Sequence, residues 1–175
     1  DTGQGSFYLY ELSNPLPHAF VVHQARQVKN SDEILKELGR EDFDPQKEVL
    51  LELDQFDKLD QLESGKSDQL DQSTTITTYL PERVVIAAKT NQPGFLVLTD
   101  SYDSGWEAKI DGQPAKINQA DYLFRAVPIP AGEHQVEFEY KPKDFYLGAK
   151  ISLTTASLMI LFALFWLVKG RILKS

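Results

Sequence analysis

The sequence predicts a mainly β domain, sandwich- or jelly-roll-like with one short helix, followed by a single C-terminal transmembrane α-helix. Three observations carry this expectation. Strand-like apolar runs recur at short spacing from Ser73 to Tyr140, residues 151–168 form an apolar-rich run without charge, and Lys169, Arg171 and Lys174 follow it. The β domain is expected over 1–144, the span over 145–169 and a tail over 170–175.

Residues 7–12 and 19–28 read as strands, with Asn14-Pro15-Leu16-Pro17 as a stiff link between them. Asn30 or Ser31 can cap a short helix that runs through Leu38, with Glu33 in its first turn and Gly39 placed to end it. Residues 48–53 give another strand. The stretch 54–72 holds six acids, two lysines and no β-branched residue, which marks a solvated, variable loop. A calcium site is the sharper alternative there, but the spacing does not fit an EF-hand loop.

From Ser73 the pattern becomes regular. Residues 83–89 and 95–99 are nearly continuous apolar runs, as expected for strands covered on both faces, and Gln92-Pro93-Gly94 turns the chain between them. Trp106, Ala108 and Ile110 alternate with polar neighbours up to Asp111-Gly112, a hairpin dipeptide, and 115–117 can return along that strand. Residues 122–129 form a strand broken near its end by Pro128. After Pro130-Ala131-Gly132, the side chains of Val136, Phe138 and Tyr140 share one face and those of Gln135, Glu137 and Glu139 the other.

The run 151–168 is 18 residues, which at about 1.5 Å each reaches roughly 27 Å, close to a bilayer's hydrocarbon thickness. A buried helix of a soluble core is the competing account, and a β-rich domain of this size seldom surrounds such a helix on all sides. Tyr146 and Trp166 stand where interfacial aromatics belong, and Lys150 can snorkel to the headgroups. Ser152, Thr154, Thr155 and Ser157 can bond back to carbonyls one turn earlier and can face another helix. Lys169, Arg171 and Lys174 favour a cytoplasmic C-terminus, with 1–144 outside.

Removing those three cations from the 18 Lys and Arg leaves 15 against 26 Asp and Glu, a balance of −11 before the tail. So acidic a domain is no nucleic-acid binder and would be repelled by anionic lipid headgroups. With no cysteine, disulfides, thiolate nucleophiles and cysteine-ligated zinc are all excluded. An outside domain with an inside tail must be exported, so a cleaved signal or earlier transmembrane segments are expected upstream of Asp1.

Catalytic signatures are missing: there is no G-x-S-x-G, P-loop, G-x-G-x-x-G or H-E-x-x-H motif. His18 and His23, five apart on one strand, would point to opposite faces, and His134 sits beside a turn; surface or strand-end roles are expected for all three. No metal or cofactor is expected. Asp100, Asp103, Glu107 and Asp111 flank Trp106 around a Ser104-Gly105 turn. Carboxylates beside a ring could serve glycoside chemistry or sugar stacking, but Asp and Gly are ordinary turn residues, so the expectation is a structural turn with Trp106 in the core. Arg125, among Tyr122, Phe124 and Val127, needs a partner, and an acid from 100–111 is the expected one. The candidate carbohydrate or partner contacts are Tyr102, Trp106, Tyr122 and Arg125.

Several segments occur in a familiar order: Tyr10-Glu-Leu-Ser-Asn-Pro-Leu-Pro-His-Ala-Phe-Val22, Phe43-Asp-Pro, Gly94-Phe-Leu-Val-Leu-Thr-Asp-Ser-Tyr102, Gly105-Trp106, Ile110-Asp-Gly112, Phe124-Arg-Ala-Val127 and Pro130-Ala-Gly-Glu-His134. Val136-Glu-Phe-Glu-Tyr140 closes the series. This set resembles the carboxyl-terminal end of the bacterial YfhO family of polytopic membrane proteins, over nearly the whole chain. One departure is Ser104, where the family usually has a proline before Gly-Trp.

The resemblance implies a large protein of the bacterial cytoplasmic membrane similar to GT-C glycosyltransferases, which take sugars from polyprenyl-phosphate carriers outside the membrane. In Gram-positive members it implies decoration of cell-wall or lipoteichoic polymers. The catalytic acid of such enzymes belongs to an early extracytoplasmic loop, so no catalytic residue is carried over to this chain. The implied partners are the lipid bilayer, other transmembrane helices of the parent protein and a cell-envelope glycopolymer. A competing expectation is a non-enzymatic, membrane-anchored carbohydrate-binding or structural module using exposed aromatics such as Tyr102 or Tyr122. An independent hydrolase built on the 100–111 loop is a third.

Overall fold

A computed structural model describes Tyr10, residues 15–52 and residues 71–172, without the side chains of 163, 165, 167, 168 and 170–172. Apart from Tyr10, the strand expected at 7–12 lies outside the described residues, as do most of the acidic 54–72 segment and Lys174. Two sheets make up the domain. The first contains β1 (Ala19–Val22), β2 (Gln24–Val28), β3 (Glu48–Glu52), β6 (Gly94–Leu98), β9 (Asn118–Ala120) and β10 (Phe124–Ile129), in the order β1-β6-β10-β9-β3-β2. The second contains β4 (Gln72–Leu80), β5 (Arg83–Thr90), β7 (Trp106–Ile110), β8 (Gln113–Ala115) and β11 (Gly132–Tyr140), in the order β4-β5-β11-β7-β8.

The expected 19–28 strand is two strands, divided at His23, that lie at opposite edges of the first sheet. Since Val22 and Gln24 can be no more than about 7 Å apart, the sheet must curl until its edges meet at that corner. Phe20, Val22, Val49, Leu51, Phe95, Val97 and Ala126 fill the inside of the curl. The opposite face of the same sheet carries Val21, Leu96, Leu98, Val127 and Ile129, which pack on Val84, Ile86, Val136 and Phe138 of the second sheet. β6 is buried along its whole length because both faces are covered, as its continuous apolar run predicts. β5 differs. On the outer face of the second sheet Val85 is buried but Ala87 and Lys89 are exposed, so that face is covered only at Val85, towards the start of the strand.

β2 and β3 pair in parallel, with α1 (Ser31–Leu38) in the crossover between them. The Asn30 side chain accepts from the Glu33 N–H at 3.0 Å, and Ile34 packs with Val28 and Leu50 beneath the helix. Gly39 does end α1, but at φ −84, so its conformational freedom is not required there. Arg26 on β2 grips Glu48 with Nε at 2.9 Å and Nη2 at 2.8 Å, and reaches Glu37 of α1 at 2.8 Å. The helix is thereby fastened to the edge strand it covers.

At the opposite edge, the free carbonyls of β1 are not left open. Thr74 donates to the Ala19 carbonyl at 2.6 Å and Gln72 to that of Val21 at 3.2 Å, so β4 closes this side of the sandwich with its side chains. The expected strand at 122–129 begins later, because Asp121 and Tyr122 form a tight turn with φ 47 and 77 that separates β9 from β10. Pro128 is tolerated because β9 pairs only with Phe124, Arg125 and Ala126, leaving no neighbour on that side to need its missing N–H. The return strand of the Asp111-Gly112 hairpin is 113–115 rather than 115–117, since both turn residues adopt positive φ and pair Ile110 directly with Gln113.

Asp121 also completes a weak seam. β3 and β9 share the single pair Leu51 with Ala120, and Asp121 extends it by donating its N–H to the Leu50 carbonyl at 3.0 Å and accepting from Leu50 N–H at 2.8 Å. Burial pushes its carboxyl up to about 6 from 3.8, partly opposed by the Leu50 N–H bond. Because the folded-state value is raised, the stabilising contribution is full below about pH 4 and is lost as pH rises through about 6.

α2 (Lys143–Ile172) is one helix of 30 residues, about 45 Å long at 1.5 Å per residue, enough for a whole bilayer with its headgroups. Its described side chains are all exposed and apolar on every side through the middle, so the domain does not wrap it as a core helix. Thr154, Thr155 and Ser157 donate to the carbonyls of Lys150, Ile151 and Leu153 at 2.8 to 2.9 Å.

Two outcomes follow for stability in detergent. A Cβ on Gly94 would collide with the Val22 carbonyl and press on His23 Nδ1, so Gly94→Ala should cost about 2–4 kcal/mol by denaturant unfolding, whereas Gly39→Ala should change it by less than about 0.5 kcal/mol. Asp121→Asn keeps an acceptor for Leu50 and removes the titration. It should be more stable than the parent chain at pH 7 by about 2 kcal/mol, an advantage that disappears by about pH 4; a pH-independent difference would refute the assignment.

Candidate functional site

Arg125 lies near the start of β10, opposite Leu98 of β6, on the same face as Val127 and Ile129. Its side chain therefore enters the space between the sheets at one open end of the sandwich. It is 2% exposed. From the other sheet Trp106 meets it face on, with Cζ 3.9 Å from the ring centroid, and Phe138 lies 5.4 Å away. Nη2 donates to Asp100 Oδ2 at 2.8 Å, so the expected acid from 100–111 is Asp100.

The other Asp100 oxygen collects two more groups, His18 Nε2 at 2.7 Å and the Tyr79 hydroxyl at 3.1 Å. The His18 and Tyr79 rings meet edge to face at 5.0 Å. Nε and Nη1 of Arg125 meet no hydrogen-bond acceptor among the described residues, and the Trp106 face supplies the compensation instead. Burial pulls the guanidinium below its ordinary pKa, and the Asp100 charge opposes that fall. Burial first, and then Asp100, push the Tyr79 phenol up.

Two clefts open on either side of Trp106. One, of about 320 Å³, is lined by Tyr79, Leu80, Pro81, Val84, Asp100 and Trp106. The second, of about 430 Å³, lies between Tyr102, Trp106, Pro114 and Ile117. The first is largely apolar, whereas the second adds Glu107 and Lys109 to its apolar walls; rings beside polar groups suit the face of a ring-shaped or chain-like ligand.

Of the sequence-predicted contacts, Tyr102, Trp106 and Arg125 come together here, while Tyr122 does not. Tyr122 is half-buried against Val28, Ile34 and Leu50 under α1, because the left-handed turn it occupies between β9 and β10 sets it against the far, β2–β3 side of the sheet. The acids around Trp106 disperse as well. Asp103 accepts from Gly105 N–H at 2.8 Å, Glu107 faces Lys141 and Lys143, and Asp111, at the far end of β7, accepts from Gln135 N–H and pairs with His134. No group of three His, Cys, Asp or Glu side chains is placed to hold a metal among the described residues. His18 and Tyr79 escaped the sequence reading because nothing in their local pattern signals a contact with a residue 82 or 21 positions away.

At the helix, Tyr146 is exposed, as is Trp166, and Lys169 Nζ stands 6.0 Å over the Trp166 ring. Lys150 is exposed too, whereas the Arg171 side chain lies outside the described residues. Residues 143–162 are long and apolar enough to cross a membrane by length and composition.

The model of a family described as bacterial membrane protein YfhO matches residues 43–152, more than half of the chain. The chain belongs to the YfhO family. That match runs from the end of the α1 crossover, through Asp100, Trp106 and Arg125, into the start of α2. The chain is also 31% identical over 80 residues to the uncharacterized protein YfhO of Bacillus subtilis (strain 168), a stretch covering 46% of this chain and 9% of that relative. It therefore spans a small part of the relative's length. No solved structure matches the chain.

Arg125→Ala should leave Asp100 without its cation and Trp106 without its stacked partner, lowering the unfolding free energy in detergent by about 2–4 kcal/mol. An unchanged midpoint would show that the pair carries no stability.

Proposed function

We propose that this chain is the outer domain and last membrane helix of a larger YfhO-family protein of the bacterial cytoplasmic membrane. Residues 1–144 stand outside, 145–169 cross with Lys169 at the inner interface, and the tail with Arg171 and Lys174 lies in the cytoplasm. The whole protein transfers sugar from a polyprenyl-phosphate carrier to a cell-envelope polymer. This part supplies no catalytic acid and helps to position the acceptor polymer or cap the active face.

One observation carries the positioning role: the clefts beside Trp106 open at the end of the domain from which α2 departs. A sugar held on a lipid carrier is presented at the membrane surface, which is the level of that end. Tyr102 and Tyr79 flank the clefts with flat apolar rings and a polar tip, the combination that suits a sugar face and its hydroxyls. Family membership and the all-round apolar α2 support the membrane part of the proposal.

Deleting residues 1–140 from the full-length protein should abolish or sharply reduce glycosylated polymer in cells. Tyr102→Ala, at a partly exposed position outside the buried Arg125 pair, should reduce product several-fold at unchanged protein level. Unchanged product in both would sink the accessory role.

A further inference from the structure

The second sheet delivers the chain to the membrane helix with almost no slack. β11 ends at Tyr140, α2 begins at Lys143, and Lys141-Pro142 is the whole connection. Three loops are fastened around this exit by backbone bonds. Tyr140 N–H donates to the Glu82 carbonyl at 2.8 Å, Lys141 N–H to that of Gly105 at 2.6 Å, and Tyr102 N–H to that of Leu123 at 2.6 Å. The β4–β5 turn and the loop before β7 are thus tied directly to the exit of α2, and the β9–β10 turn is joined to them through Tyr102, making one rim at this end of the domain. Gly105 leaves no space to loosen it, since a Cβ there would lie 2.7 Å from the Tyr140 ring and 3.2 Å from Pro142.

The exposed large apolar side chains of the domain gather on that rim. Before Phe145, the described residues show six: Tyr10, Leu35, Tyr79, Leu80, Tyr102 and Leu123. Of the last four, Tyr79 and Leu80 end β4 beside the β4–β5 turn while Tyr102 and Leu123 stand on the other two fastened loops, with Tyr79 56%, Leu80 48% and Leu123 53% exposed. Their distance from lipid follows from helix length. From Lys143 to the apolar run at Ile151 is about 12 Å at 1.5 Å per residue, and the headgroup layer is itself roughly 5–8 Å thick on each side, a difference of about 4–7 Å that projecting Tyr and Leu side chains can span. Tilt of α2 towards the rim's side brings it closer. Phe145, Tyr146 and Leu147 of α2 continue the same apolar surface down towards the bilayer.

We infer that Tyr79, Leu80, Tyr102 and Leu123 form a membrane-seating rim that inserts into the lipid headgroup layer beside α2. Two tyrosines and two leucines suit that layer, where amphipathic rings and aliphatic tips both gain. Charge does not drive the contact. The rim's neighbours include Glu82, Asp103, Glu107 and Asp144 as well as Arg83, Lys141 and Lys143, and the domain as a whole is acidic. The tether supplies the proximity, and the rim then fixes the tilt of the domain, holding the clefts beside Trp106 at headgroup height. The inference rests on α2 spanning the membrane and stands apart from the glycosyl-transfer proposal.

The absence of cysteine makes the test direct. Single substitutions Leu80→Cys and Leu123→Cys in the full chain, with Glu133→Cys at the opposite end of β11 as reference, would each carry an environment-sensitive fluorophore. The chain is placed in phosphatidylcholine vesicles, with and without phosphatidylglycerol, containing headgroup-spin-labelled lipid. The rim labels should show blue-shifted emission and several-fold stronger quenching than the reference, in both lipid mixtures. Quenching no greater than at Glu133→Cys would overturn the inference, as would blue-shifted but unquenched labels, which would indicate burial against protein. Quenching confined to the anionic mixture would overturn it too, because it would make the contact electrostatic.

Discussion

A single guanidinium closes the end of the sandwich nearest α2. Arg125 is held between Trp106 and Phe138 of one sheet and Asp100 at the end of a strand of the other, so it joins the two layers where the apolar core runs out. Burying a cation is costly, and one acid alone would not offset the loss of water. Three features share the task. Asp100 supplies the charge, the indole face meets the nitrogens that lack an acceptor, and His18 and Tyr79 hold the second oxygen of Asp100. Through Asp100 and Trp106 the same residue also fixes the walls of both clefts.

The curled first sheet and the second sheet divide the work. The curl, forced by the one-residue link between β1 and β2, gives the domain two apolar faces to fill and buries β6 completely. The second sheet keeps one face open to solvent and serves as the arm that carries α2. Because Trp106 pairs with Tyr140 at the last residue of β11, the rigid end of the arm and the aromatic clefts are the same place. A domain built this way ties the position of α2 directly to the clefts beside Trp106.

Period-two alternation in β7 and β11 was legible residue by residue, because each of these strands has one covered and one open face. The α1 cap was legible as well, since Asn30 acts on a backbone group three residues away. The partner of Arg125 could be anticipated, because a charge among apolar strand residues demands one and the nearest acidic loop offers it. The break at His23 was not legible, as nothing local distinguishes one strand from two that diverge to opposite edges. Tyr122 misled for a related reason. Its alternation with Phe124 looked like strand, while its left-handed backbone belongs to a turn that Asp121 stabilises through Leu50, 71 residues away.

Features that depend on near neighbours can be read from residue order: the β-rich class, the short capped helix, the Asp111-Gly112 hairpin, and an apolar C-terminal helix long enough to cross a bilayer. Hydrophobic period, turn chemistry and run length are local quantities, and they are decided before any strand finds its partner. The tertiary structure alone decided the strand order, the parallel β2–β3 pair, the gathering of His18, Tyr79 and Asp100 around Arg125, and the apolar rim at the base of α2. Those features join residues tens of positions apart, and contacts at that separation are selected by the packing of whole sheets, where a curled edge or a single buried charge outweighs local preference.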